Sequence, residues 1–258
     1  MISAQRPNTL EIVALEGIPL VDSGDDLVAI ILKGLADADI QLHHHDSLVI
    51  SSKIVSKSEG RRFDLKQVVP SEQAVALAEA TRKDSRIVEL VLQESASISR
   101  SAPHVLVTQH RLGFVSANAG IDQSNVGEDQ DFVLLLPLDP DKSAQKIREG
   151  ILAQTGVEVG IVISDSHGRP FRVGNIGVAI GVAGMPALLD LRGQHDLFGR
   201  ELRISLQAYG DLIASAAHLV CGEGDEGRPV VLVRGLSFSA EDGKASDLNR
   251  APEQDLYR

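Results

Sequence analysis

Ile161 to Leu202 reads IVISDSHGRPFRVGNIGVAIGVAGMPALLDLRGQHDLFGREL, an apolar strand that runs straight into Asp165, Ser166, His167, Arg169 and Arg172. A strand end carrying an acid, a hydroxyl and two guanidinium groups is suited to anions and metal, because rigid scaffolds present their chemistry on loops. Val173 to Val182 then reads as a second, glycine-interrupted extended stretch.

Outward from this segment, strand and helix patterns alternate. Glu11 to Gly17 and Asp46 to Lys57 read as strands, as do Phe132 to Leu138, Val157 to Ser164 and Pro229 to Arg234. Ser23-Gly-Asp-Asp starts a helix with Leu27, Ile30, Ile31 and Leu35 on one face. Residues 71–97 read as helical behind a Ser71 cap, with Ile87, Leu90, Val91 and Glu94 marking a second periodic run. His104 to Gln109 and Phe114 to Ala117 bracket a hairpin turn at 111–113. A further helix is capped by Asp139 or Asp141 and ended by Gly156, and another within 202–220 aligns Leu206, Tyr209, Ile213, Ala216 and Val220. The irregular alternation predicts an α/β (α+β) fold with mixed sheets rather than purely parallel winding. Residues 1–236 are expected to form the folded domain, with room for two lobes. From Ser237 the chain turns polar and aperiodic, so 237–258 is expected to be a mobile tail.

Composition excludes several function classes. The 258 residues suffice for a sizeable core, which must be aliphatic because aromatics are only 3% and Trp is absent. A formal net charge of -11 opposes nonspecific binding to nucleic acid or anionic membrane. Small anionic substrates stay open, since local arginines outweigh distant acids beyond a Debye length of about 8 Å. Cys221 stands alone, which excludes an intramolecular disulfide and suits a reducing compartment. The N-terminus shows no secretion signal, and the apolar stretch 176–189 is broken by Gly177, Gly181, Gly184 and Pro186, so the cytoplasm is expected.

Gly222-Glu-Gly-Asp-Glu-Gly227 matches the dinucleotide GxGxxG spacing, but it follows a helix and precedes a strand, the reverse of the Rossmann order. No P-loop motif occurs. The acidic glycine loop is either a plain flexible turn or a place where amides approach phosphates while Glu223 holds a cation. Asp122 and Asp165 both follow strands; each alone is explained by turn capping, whereas with Ser166 and Glu223 they offer oxygen ligands for two hard cations. Lys53, Lys57, Arg61 and Arg62 form one basic cluster and Arg169 with Arg172 another, either solvated surface or a phosphate and carboxylate clamp. His43 to His45 reads as exposed loop. His167 is a candidate catalytic group or a loop-orienting one.

Taken together, GIPLVDSGDDL, VISSKIVSKSEGR, GFVSANAGIDQSN, SDSHGRPFRVGNIGVAIGVAG, DLFGRELR and CGEGDEGRPVVLVRG resemble the coenzyme F-420-0:L-glutamate ligase family, in order from about Glu11 to Gly235. The resemblance implies a GTP-dependent ligase adding L-glutamate to the lactyl carboxylate of a deazaflavin precursor. It implies a homodimer using Mg2+ or Mn2+, as two ions, helped by K+. Carried over, the metal ligands are Asp122, Asp165, Ser166 and Glu223; family members often have Thr and Gln at the last two. Nucleotide contacts fall on Gly17, Ile18, Pro19, Leu20, Ser52, Lys57 and Asn125, and on the loop Cys221, Gly222, Glu223, Gly224, Asp225, Glu226, Gly227 and Arg228. Lys57, His167, Arg169 and Arg172 are the expected catalytic groups. GTP, L-glutamate and coenzyme F-420-0 are the expected partners, with neither nucleic acid nor membrane. A metal-dependent phosphohydrolase and a non-catalytic nucleotide-binding module remain as rivals, distinguished by turnover without glutamate and by binding without turnover.

Overall fold

Side chains that alternate with a period of two decide how the central sheet is covered. The computed structural model describes residues 9–127, 131–238 and 242–254. In chain order it contains β1 (Glu11–Ala14), α1 (Leu27–Asp37), β2 (Ser47–Ser51), α2 (Ser52–Ser58), β3 (Arg62–Asp64), α3 (Glu72–Thr81), α4 (Ser85–Glu94), β4 (Ser95–Ala102), β5 (Val105–His110) and β6 (Val115–Ala117). There follow β7 (Phe132–Leu134), α5 (Pro140–Thr155), β8 (Gly160–Arg169), β9 (Arg172–Ala183), β10 (Leu188–Asp190), β11 (Leu206–Ala208), α6 (Tyr209–Cys221) and β12 (Val230–Arg234).

The main sheet has the order β1-β12-β2-β8-β9, with β2 and β8 parallel and the other neighbours antiparallel, the expected mixed arrangement. Leu48, Ile50, Ile161, Ile163, Val230 and Leu232 bury one face with Ile31 and Leu35 of α1 and Ile147 and Ile151 of α5. The residues between them, Val49, Val162, Val231 and Val233, bury the other face with Ile213, Ala214 and Ala217 of α6. Each fully buried Leu or Ile contributes about 1.5–3 kcal/mol, so this aliphatic sandwich needs no aromatic core. A separate cluster joins α3 and α4 to β5 and β7 through Ala74, Ala78, Val88, Leu90, Val91, Leu106 and Val133.

At the edge strand β9, side-chain carboxylates occupy backbone amides that would otherwise template a foreign strand. Asp211 accepts from Ala179 N at 2.9 Å, Asp141 from Val182 N at 2.8 Å and Asp242 from Gly184 N at 3.0 Å. Asp139, with Pro140 behind it, is therefore the cap of α5, and Asp141 serves the sheet instead.

Several expectations change. The strand expected over 46–57 stops at Ser51, whose hydroxyl accepts from Lys53 N, and the chain turns into α2. Burial of the β-branched Ile54 and Val55 against the main core overrides their strand preference. The helical stretch expected over 71–97 is two helices that end at Glu94, because Arg82 adopts φ 54° and breaks the first, and 95–97 belong to β4. The serine-rich, largely exposed β4 has no apolar alternation and forms through pairing with β5. Leu206 lies in β11, outside the helix it was aligned with. In the polar C-terminal stretch, Ala245 is buried, Leu248 packs on the α6 side, and Gly243 N donates to Met185 O at 2.9 Å. Two isolated apolar residues leave no periodic trace in a sequence. Among the described residues no helix is long and apolar enough to cross a membrane.

Candidate active site

The parallel register of β2 and β8 sets Ser51 beside Ser164, so α2 begins where β8 delivers its polar residues. Ser52 Oγ donates to Asp165 Oδ1 at 3.0 Å. The next residue, Lys53, pairs with the Asp122 carboxylate and donates to Ser124 Oγ at 3.1 Å. Ser124 in turn gives Asp122 its hydroxyl at 2.7 Å and its amide at 2.8 Å, an Asx turn. Adjacent residues of one helix start thus hold both aspartates. Burial raises the Asp122 pKa, but Lys53 and Ser124 outweigh it and keep the carboxyl below its ordinary value.

Asp165 Oδ2 lies 2.9 Å from His167 Nε2, as residues two apart on one strand face can. Ser166 leaves β8 on the opposite face, where its hydroxyl donates to Glu223 Oε1 at 2.7 Å; His218 Nδ1 of α6 lies 3.2 Å from the same oxygen. Gly177, the β9 partner of Ser166, makes room for this approach, since a Cβ there would sit 2.5 Å from His218 Cδ2 and from the Ala214 carbonyl oxygen. The Asp122 and Glu223 loops are also joined, through a 2.9 Å bond from Asn125 Nδ2 to Gly224 O. Gly222, at φ 78°, gives way to the Glu226 carboxyl, which accepts from Gly224 N at 2.8 Å.

These elements enclose one cavity of about 1360 Å³. Asp122, Asp165, Ser166 and Glu223 open onto it with Lys57, His167, Arg169, Arg172, Asn125, Ile18 to Leu20 and the whole 221–228 loop. Gly17 and Ser52 do not line it; Ser52 reaches the site through Asp165. The basic cluster of the sequence divides. Arg61 is withdrawn into a buried pair with Glu94 at 2.7 Å, whereas Lys57 and Arg62 face the cavity and Arg62 lies 4.0 Å over the Phe132 ring. Burial, then Arg62, depress the Lys57 pKa. Burial, then Glu223, push the Cys221 thiol up, so it is a neutral wall group.

Among the described residues no three His, Cys, Asp or Glu side chains converge into a ready-made metal cage. Of the four expected ligands, Ser166 and Glu223 are bonded to each other on one face of the β8 end, while Asp165 on the other face is linked to Asp122 only through Ser52 and Lys53 at the start of α2. Such a donor set suits two hard cations that complete their shells with substrate phosphates. Sequence reasoning missed His218 and Ser124; the D-x-S spacing of an Asx turn announced Ser124, whereas His218 sits on a helix face with no motif around it.

Residues 17–235 match the family described as F420-0:Gamma-glutamyl ligase. The chain is 45% identical to the coenzyme F420:L-glutamate ligase of Methanopyrus kandleri over 251 residues, covering 95% of this chain and 97% of that one. It is 43% identical to the ligase of that name from Methanothermobacter thermautotrophicus, covering 96% and 99%. For the one from Methanocaldococcus jannaschii the identity is 42% over the full length of both chains. With near-complete coverage at this identity, and with a mixed-sheet α/β architecture in place, the chain belongs to the F420-0:gamma-glutamyl ligase family.

Proposed function

We propose that this chain is a GTP-dependent ligase that adds L-glutamate through γ-linkages to coenzyme F420-0, by way of an acyl phosphate on the lactyl carboxylate. One observation carries the reading: in a chain of this family, two aspartates, Glu223, Lys57 and the Arg169–Arg172 turn open onto a single cavity. The names of the relatives above point to L-glutamate and coenzyme F420 as substrates. All the substrates are anionic, which accounts for basic groups facing one cavity in an acidic protein.

A carboxylate is too poor an electrophile for an amine. Its oxygen therefore attacks the γ-phosphorus of GTP, the bond to the bridging oxygen breaks, and GDP departs. Lys57, Arg169 and Arg172 offset the charge that develops. The glutamate amine then attacks the acyl carbon and inorganic phosphate leaves. With Nε2–H donated to Asp165, His167 keeps Nδ1 as the nitrogen able to accept the amine's proton. Asp122 with Asp165, and Ser166 with Glu223, would hold Mg2+ or Mn2+, which when bound neutralise phosphate charge, with K+ as a further cation.

The reading includes a homodimer. Val173, Leu197, Phe198 and Ile204 are each at least 89% exposed, on the β9 arm and the segment between β10 and β11. Apolar groups presented this openly mark association surfaces. Light scattering should give twice the chain mass, and Phe198→Asp should shift it toward the monomer.

Incubation with coenzyme F420-0, GTP, Mn2+ and L-glutamate tests the activity. Mass spectrometry should show the deazaflavin gaining one glutamyl unit for each GDP and phosphate released. GTP hydrolysed without a glutamylated product, or bound without turnover, would overturn the ligase reading.

A further inference from the structure

Phe114 follows the turn between β5 and β6 and lies behind the cavity wall, yet it touches the site. Its ring centroid is 4.9 Å from that of His167, tilted by 52°. On its other side it stacks on His110 at 5.2 Å, within 9° of parallel. Aromatic rings attract at these separations and resist sliding when the neighbours are fixed.

The far neighbour, His110, is held. His110 is 3% exposed, accepts from Leu112 N through Nδ1 at 3.0 Å, and holds Nε2 3.6 Å from Glu94 Oε2. Glu94 pairs with Arg61 at 2.7 Å, and Arg61 Nε donates to Leu136 O at 2.8 Å. The turn itself is pinned from the C-terminal stretch, beyond the family match at 17–235, where Asn249 Nδ2 donates to Leu112 O at 2.9 Å. Gly113, at φ 101°, admits that amide; a Cβ there would sit 2.6 Å from Asn249 Nδ2.

Asp165 holds one nitrogen of His167 but leaves the plane of the ring free to turn about that bond. We propose that Phe114 is a positioning residue that sets the plane of the His167 imidazole, and that Asn249 seats Phe114 by pinning the turn before it. The expected effect on rate rests on the ligase reading above; the contact itself does not.

The test uses the full chain, metal-free and with isotope-labelled histidine for NMR, and the glutamylation assay beside it. The His167 ring protons, identified by their loss in His167→Gln, should carry a ring-current shift that Phe114→Leu abolishes and Phe114→Tyr keeps. In the assay, Phe114→Leu should lower kcat about tenfold or more while the KM for GTP stays within about twofold, and Phe114→Tyr should restore kcat. Asn249→Ala should move both readouts in the same direction by less, and it decides the matter if Phe114→Leu does not fold. Unchanged His167 resonances in Phe114→Leu, or kcat equal to the parent's, overturns the proposal; Asn249→Ala indistinguishable from the parent overturns the role of Asn249. A parent protein that keeps the shift but makes no glutamylated product defeats the ligase reading and leaves the positioning role standing.

Discussion

Ser166 Oγ donates a 2.7 Å hydrogen bond to Glu223 Oε1, fastening the end of β8 to a glycine loop 57 positions along the chain. Glu223 is 56% exposed at its side chain, so this bond and His218 Nδ1 at 3.2 Å are what orient it. Both contacts leave its second oxygen available to a cation.

Glu223→Ala should weaken Mn2+ binding by the protein alone about tenfold or more, read by titration calorimetry without nucleotide. Unchanged affinity would remove Glu223 from the ligand set.

Lys53→Met should act in the opposite sense. The Lys53 ammonium pairs with Asp122 and competes with any cation there, so its removal should tighten Mn2+ binding roughly fivefold, the order expected of a partly exposed pair. Weaker binding in this variant would mean that Lys53 organises the site rather than competing for it.

Asp165→Ala should reduce glutamylation by about a hundredfold or more, because it removes an oxygen from the cavity and the partner of His167 together. Circular dichroism should be unchanged, since Asp165 lies outside the apolar core. Normal turnover would end the metal and histidine assignments alike.

Glu94→Gln should destabilise the protein by about 3 kcal/mol at neutral pH, because Arg61, whose side chain is 11% exposed, loses its counter-charge. Burial raises the Glu94 pKa, but His110 and Arg61 outweigh it and hold the carboxyl below its ordinary value. The folded value is depressed, so the stabilisation is complete above the unfolded value and is lost as pH falls through the folded one. Urea unfolding from pH 7 downward should show the gap between parent and variant closing as pH falls below the unfolded glutamate value of about 4.3. A gap independent of pH would mean that the negative charge of Glu94 is not what stabilises the pair.

Local chemistry determined much of this protein. The period-two apolar runs at 48–50, 161–163 and 230–233 specify strands buried on both faces, and Ser71, Asp139 and Gly156 mark helix ends because capping depends on neighbouring residues alone. The order of helix, glycine loop and strand at 209–234 excluded a Rossmann site for the same reason. Only the tertiary structure decided where β2 gives way to α2, since burial of Ile54 and Val55 outweighs their propensity. It alone withdrew Arg61 from the basic cluster, set Asp165 and Ser166 on opposite faces of β8 toward different partners, and brought His218 to Glu223, Phe114 to His167 and Asn249 to the turn before Phe114. Apart from His218 and Glu223, which are five positions apart on a helix end and the loop after it, those relationships join residues tens to more than a hundred positions apart, and their energies come from packing and charge between elements, which no local pattern of residues encodes.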